Sequence, residues 1–214
     1  MKWGFYRWSC LVEAVAFAGF IATYIWKLQV KAPWSWRVIL VWLVASFLVR
    51  RDTPKSMGWR GDNLWSATKR AAWFFGGSSL LICFAGLFLG MTHRLPSHLI
   101  EPRRFGGYLA FCLLQQVGLN SFLTNRLLAA FEQVGPAALL AGVLFGALHW
   151  PNPVLVPLTF AGGTAMAWLF ATERNILPLA LGQALLGALV WWAFPLGWHH
   201  SMRVGPGFGE WRGK

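Results

Sequence analysis

The chain has 214 residues, 57% apolar and 12% charged, with a mean hydropathy of +0.49. A soluble domain carries about 25% charged residues, so this balance excludes an ordinary soluble globular domain and leaves an integral membrane protein. The 19 basic and 7 acidic residues give a net charge of +12. The bases lie mostly between apolar runs, which suits anionic lipid headgroups as their partners and sets nucleic acid aside.

At ~20 residues per transmembrane helix, seven spans with short links nearly exhaust the chain. The expected fold is therefore all-α: a polytopic transmembrane helix bundle of about seven spans with a polar C-terminal tail, forming a single integral membrane domain over residues 1–214. Trp3, Trp8, Trp26, Trp34, Trp36, Trp150, Trp191, Trp192 and Trp198 fall at or near the ends of the expected segments. Indole rings settle at the lipid–water boundary, so these read as anchors. The wealth of Trp and Phe also suits contacts with other integral membrane proteins, lipids or pigments. Cys10, Cys83 and Cys112 lie far apart inside apolar runs and read as small buried hydrophobes.

The apolar run Trp8–Trp26 reads as a first span, because it is long for a signal peptide and contains Glu13. Glu13 is expected a turn below the interface, paired with a base such as Arg7. Val38–Val49 is short for a span and needs Trp34–Arg37 to join it. Arg50–Arg70 is the most charged stretch, and Asp62-Asn63-Leu64-Trp65 can start a helix with Asp62 as its cap. Ala71–Met91 is the third span, and its Gly86-x-x-x-Gly90 allows close approach of another helix. His93 and His98, five apart in a Pro-containing loop, read as solvated residues rather than metal ligands.

The fourth span, Phe105–Phe131, carries Gln115, Gln116, Asn120 and Thr124. The last three are four apart and share one helical face, which must look into the bundle, since an unpaired amide in hydrocarbon costs ~4–8 kcal/mol. Pro136–Trp150 is the fifth span, with Gly142-x-x-x-Gly146 and Phe145-Gly-Ala-Leu-His149. After Pro151-Asn152-Pro153, Val154–Ala171 is the sixth, and Ile176–Phe194 the seventh, with Ala180, Ala184 and Ala188 on one face beside Gln183 and Gly187. Spans four to seven are expected to form the tight half of the bundle. The tail from Trp198, with adjacent His199 and His200 and the turn Gly205-Pro206-Gly207, is too polar to span and reads as a cap over one mouth of the bundle.

Three marks in order, Gln115-Gln116 with Asn120, Phe145-x-x-x-His149, and Gln183-x-x-x-Gly187, resemble those of the CPBP family of CAAX-protease and bacteriocin-processing membrane proteins, also called Abi. In that family they read Glu-Glu-x-x-x-Arg, Phe-x-x-x-His and His-x-x-x-Asn or similar. The resemblance covers residues 105–194 and implies an intramembrane peptidase core, in which a glutamate activates water and histidines hold it or an oxyanion. It puts Gln115 and Gln116 at the two glutamates, Asn120 at the arginine, His149 at the second motif's histidine, and Gln183 and Gly187 at the histidine and asparagine of the third. Only Phe145 and His149 match outright.

A glutamine amide is too weakly basic to serve as general base, and losing such a base costs ~10²–10⁴ in rate. One histidine among amides is not the three-ligand set of a catalytic zinc site, so no metal and no cofactor is expected. The four amides read either as interhelical hydrogen-bonding glue or as the wall of a retained binding cavity, and His149 as a donor to a backbone carbonyl or as the one candidate catalytic group. The expectation is a divergent CPBP-like protein, proteolytically inactive, acting as a binding, scaffold or assembly subunit of a membrane complex in the bacterial inner (plasma) membrane. Its rival is an active CAAX-type endopeptidase using His149 with the Gln115/Gln116 cluster.

Overall fold

A computed structural model describes residues 2–89 and 102–211. His93, His98 and Gly90 lie outside the described residues. Helix α1 runs Lys2–Thr23 and continues through a π-helical turn, Tyr24–Leu28, into Gln29–Lys31. A 3-10 turn, Pro33–Ser35, leads into α2, Trp36–Arg50; Pro33 supplies the fixed φ that favours such a start. Helix α3 is Leu64–Phe88. Helix α4 comprises Pro102–Gln116, a π-helical stretch Val117–Thr124, and Asn125–Phe131. Helices α5, α6 and α7 are Val134–Ala147, Leu155–Glu173 and Leu177–Ala193. The tail forms two one-turn helices, α8 (Leu196–His199) and α9 (Pro206–Gly209), around a 3-10 turn, His200–Met202.

Among the described residues there are helices and turns but no strand, and α1 to α7 occupy the seven expected runs. Four segments are long and apolar enough to cross a membrane unaided: Gly4–Lys31, Pro33–Arg50, Leu64–Phe88 and Leu155–Glu173. The second includes Trp34–Arg37, the extension the short apolar run required. Helices α5 and α7 are shorter apolar helices, while the polar stripe of α4 lowers its hydropathy.

The outward surface is that of a protein solvated by lipid. On α3, Leu80, Leu81, Phe84 and Phe88 are exposed, and on α2 so are Val41, Leu48 and Val49. In water such a belt would be a large aggregation-prone patch; in a bilayer it is the solvated face. The all-α membrane bundle expected from composition is therefore the observed architecture.

Small residues set the close packing. Helices α5 and α6 meet where Gly142 faces Thr164 and Phe160, and Gly163 faces Phe145; a Cβ built on Gly142 would lie 2.0 Å from Thr164 Oγ1. On α7, Gly182 lies under the ring of Phe75, and Ala193 meets Gly86 of α3. Helix α3 thus belongs to the tight part of the bundle together with α4 to α7, a partnership that lies outside the expected half. Helix α1 packs on the end of α4 through Phe17 and Phe122, whose ring centroids are 4.4 Å apart.

The link 51–63 folds over the α4, α6 and α7 ends on one face. Gly58, at φ +86°, accepts a hydrogen bond from Ile176 N at 3.1 Å and lies against Phe170; its left-handed backbone and lack of Cβ permit both. Asn175 Nδ2 donates to Arg60 O and Asn63 Oδ1, both at 2.9 Å. Asn125 Nδ2 donates to Ser56 O, and Ser121 to Met57 O.

Two expectations are corrected here. Asn63, not Asp62, stands at the helix start and makes no side-chain cap there, because Asp62 is engaged by Arg60. Glu13 does not pair with Arg7. It binds Arg50 at 2.9 Å and lies 3.5 Å from Arg126, while Arg7 pairs with Glu132 at 3.4 Å. The bases that reach Glu13 come from α2 and α4, and sequence proximity gave no hint of them.

Candidate functional site

Within α4, the motif amides lie at the junction of α-helical and π-helical backbone. A π-helical turn takes more residues than an α-turn and so aligns side chains four apart more closely, and such turns recur at functional sites. Thr124 Oγ1 lies 2.8 Å from Leu119 O, five residues back, and 3.0 Å from Asn120 Oδ1.

From there a directed relay runs through the core. Asn120 Nδ2 donates to Gln116 Oε1 at 2.5 Å, Gln116 Nε2 to Gln183 Oε1 at 2.6 Å, and Gln183 Nε2 to Gln115 Oε1 at 2.6 Å. Gln116 Nε2 also contacts Met166 Sδ at 3.1 Å. Gln116, Asn120 and Thr124 are fully buried. Each interhelical contact of this kind contributes about 0.6–2 kcal/mol in a membrane. The first and third marks, distant in sequence, are thus hydrogen-bonded to each other, with α7 docked on α4.

The second mark faces the same space. His149 lies just beyond α5, its Nδ1 2.7 Å from Phe145 O and its ring edge-on to Phe145 at 4.8 Å. A carbonyl oxygen accepts only, so Nδ1 carries the hydrogen and Nε2 keeps a lone pair. A cavity of about 390 Å³ is lined by Gln115, His149, Gln183 and Gly187, with Phe74 and Phe75 of α3 among its apolar walls. No charged side chain lines it among the described residues. Gln116 and Asn120 stand behind the wall rather than on it.

Gly187, the last residue of the third mark, faces Tyr108. A Cβ placed there would lie 2.0 Å from the Tyr108 hydroxyl oxygen, so the tyrosine occupies the space that any side chain at residue 187 would take. Among the described residues, no three His, Cys, Asp or Glu side chains gather to hold a metal ion.

The tail closes the His149 end. Asn152 Nδ2 donates to His199 O at 2.8 Å and Arg203 O at 2.9 Å, and Gly205 N to Trp150 O at 2.9 Å. These bonds bring Met202 and Val204 into the cavity wall. His200 stacks on Phe208, centroid to centroid 3.9 Å. Tyr108, Met166, the α3 wall and Met202 were not marked as site residues from sequence, because an aromatic or Met in an apolar run carries no signal of which cavity it faces.

Fold and cavity define a polytopic integral membrane protein with a neutral polar seam enclosed between its helices. Residues 105–189 match the family model described as Rce1-like, type II CAAX prenyl endopeptidase. That segment takes in all three marks, and the match is to the CAAX-protease family that they resemble. No curated protein and no solved structure matches the chain.

Proposed function

We propose that this CAAX-protease-like membrane protein binds in its cavity without cleaving, and serves as a binding or scaffold subunit of a membrane assembly. The observation that carries the reading is the amide relay. The positions of the family's glutamates and third-motif histidine hold Gln115, Gln116 and Gln183, hydrogen-bonded to one another. Hydrolysis needs a group that takes a proton from water, and a carboxamide does not. The niche at Gly187 is filled by Tyr108, which is what a cavity remodelled away from the motif would contain. The exposed aromatic belt suits association with other integral membrane proteins, lipids or pigments. The family resemblance favours a bacterial inner membrane as its home.

Cleavage of a prenylated CAAX peptide by the purified protein in nanodiscs tests this directly. No product is expected above a protein-free control, and the native protein is expected to co-purify in mild detergent with a larger assembly. Turnover by the unaltered protein that disappears on His149→Ala would overturn the reading. His149 favours that rival, an active endopeptidase, because its Nε2 lone pair has no partner among the described residues. A triple variant, Gln115→Glu, Gln116→Glu, Gln183→His, separates the two: peptidase activity arising only in the variant marks the native site as a retained shell.

A further inference from the structure

We infer that the cavity is a chamber for an uncharged acylglycerol-type lipid, whose ester carbonyl accepts from Gln115 and whose free hydroxyl donates to His149. The inference rests on the proposed binding role and names its ligand class. The relay has a direction. Asn120, Gln116 and Gln183 each accept through oxygen and donate through nitrogen, so the last amide, Gln115, accepts through Oε1 and is left with an Nε2 that has no partner among the described residues. Hydrogen bonds in such a chain polarise one another, which strengthens the terminal donor. Gln115 lines the cavity, so the chamber presents an N–H in want of an acceptor. His149 presents the complement, an Nε2 lone pair in want of a donor.

Charge restricts the ligand further. No Lys, Arg, Asp or Glu lines the chamber among the described residues, so a carboxylate, phosphate or ammonium would be desolvated there without a counterion, at a cost that excludes it. Apart from the hydroxyls of Ser78, Tyr108 and Thr159, the last bonded to Leu155 O, the rest of the wall is apolar and aromatic, and the volume falls in the ~300–1,000 Å³ range of ligand pockets. The chamber also reaches the outer surface sideways. Leu81 of α3 and Phe111 of α4 line it yet are 70% and 54% exposed on the belt that faces lipid. A ligand entering between these helices comes from the bilayer, while Met202 and Val204 cover the other end.

The test uses the full chain in nanodiscs with a 1-monoacylglycerol carrying a diazirine in its acyl chain. After photolysis, label is expected on α3 and α6 peptides around Phe74–Ile82 and Leu158–Met166. Unlabelled monoolein should compete at least ~10-fold better than oleic acid or oleylamine at pH 8, a ratio worth one decade of affinity. A Cβ on Gly162 would meet only Met166 Cε, at 4.0 Å, so Gly162→Leu extends into the chamber without a backbone clash and should abolish labelling at unchanged melting temperature. Should that variant not fold, Ser78→Phe on the opposite wall must do the same. Gln115→Leu should weaken labelling by ~2–10-fold, the worth of one hydrogen bond.

Equal competition by oleic acid, or labelling that survives both filling variants, overturns the inference. Peptide cleavage by the unaltered protein would sink the proposed binding role instead, whatever the lipid result.

Discussion

Helix α4 carries two polar clusters on adjoining turns, and they are built from opposite materials. From Gln115 to Thr124 every group is neutral, and the bonds run from the Thr124 hydroxyl and then amide to amide. At Arg126, 3% exposed, the helix enters a cluster of full charges: the guanidinium binds Asp52 at 2.6 Å, lies 3.5 Å from Glu13, and contacts Ser46, while Arg50 holds Glu13 from the other side. The charged cluster ties α1, α2 and the link 51–63 to the end of α4, at the helix ends where charged groups lie closer to water. The neutral one joins α4 to α7 in the interior. The difference teaches that this protein fastens its ends with charge and leaves its interior cavity lined by neutral groups.

The sharpest way to break that comparison is to orphan the charges. Arg126→Met leaves Asp52 and Glu13 short of their buried partner and should cost about 3–5 kcal/mol, read as a large fall in the melting midpoint in detergent. An unchanged midpoint would mean that water already solvates the cluster. Next, Gly187→Asn should cost about 1–3 kcal/mol by overpacking against Tyr108. Adding Tyr108→Ala should recover most of the loss, because the two sites touch and their effects couple; additive losses would show that the tyrosine does not fill the niche.

Gln116→Leu removes the interhelical link to Gln183, worth about 0.6–2 kcal/mol, together with the Asn120 bond within α4, and the loss should be equal at low and high salt, since no charge is involved. A salt-dependent loss would contradict a neutral seam. Glu132→Ala, which breaks only the pair with Arg7, whose side chains are 41% and 49% exposed, and leaves the Arg7 Nε bond to Ala130 O in place, should cost ~0–1 kcal/mol and less as salt rises.

The smallest effect concerns pH. The Arg60 hydrogen bond holds the Asp62 carboxyl at about 2, below its ordinary 3.8. Because the folded value is the lower one, the pair's stabilisation is complete above the ordinary value and is lost only as pH falls towards the folded one. Melting midpoints of the native protein and Asp62→Asn should therefore differ by the same amount at pH 5 and pH 7, and converge only as pH falls to about 2. A difference that changes between pH 5 and pH 7 would place the titration elsewhere.

Much of the scaffold was legible in the chain because hydrocarbon is a demanding solvent. Apolar runs long enough to cross must be helical, and Gln116, Asn120 and Thr124, four apart, had to face inward and find partners. The second GxxxG, Gly142 and Gly146, marked a close helix contact, though not that Phe160 and Thr164 would fill it. Glu13 shows the limit: its nearest base in sequence was Arg7, and its actual partners are 37 and over a hundred residues away.

By itself the sequence determined an all-helical membrane bundle, its three marks, and the absence of a carboxylate among them, since these depend on residue type and local period alone. Tertiary structure decided that Gln115, Gln116 and Gln183 bond in one directed relay, that Tyr108 fills the place beside Gly187, and that α3 and the tail wall the cavity with His149. Those facts depend on how helices far apart in the chain dock, and docking is settled by steric fit and by which buried polar atoms can reach one another, neither of which is a property of any single segment.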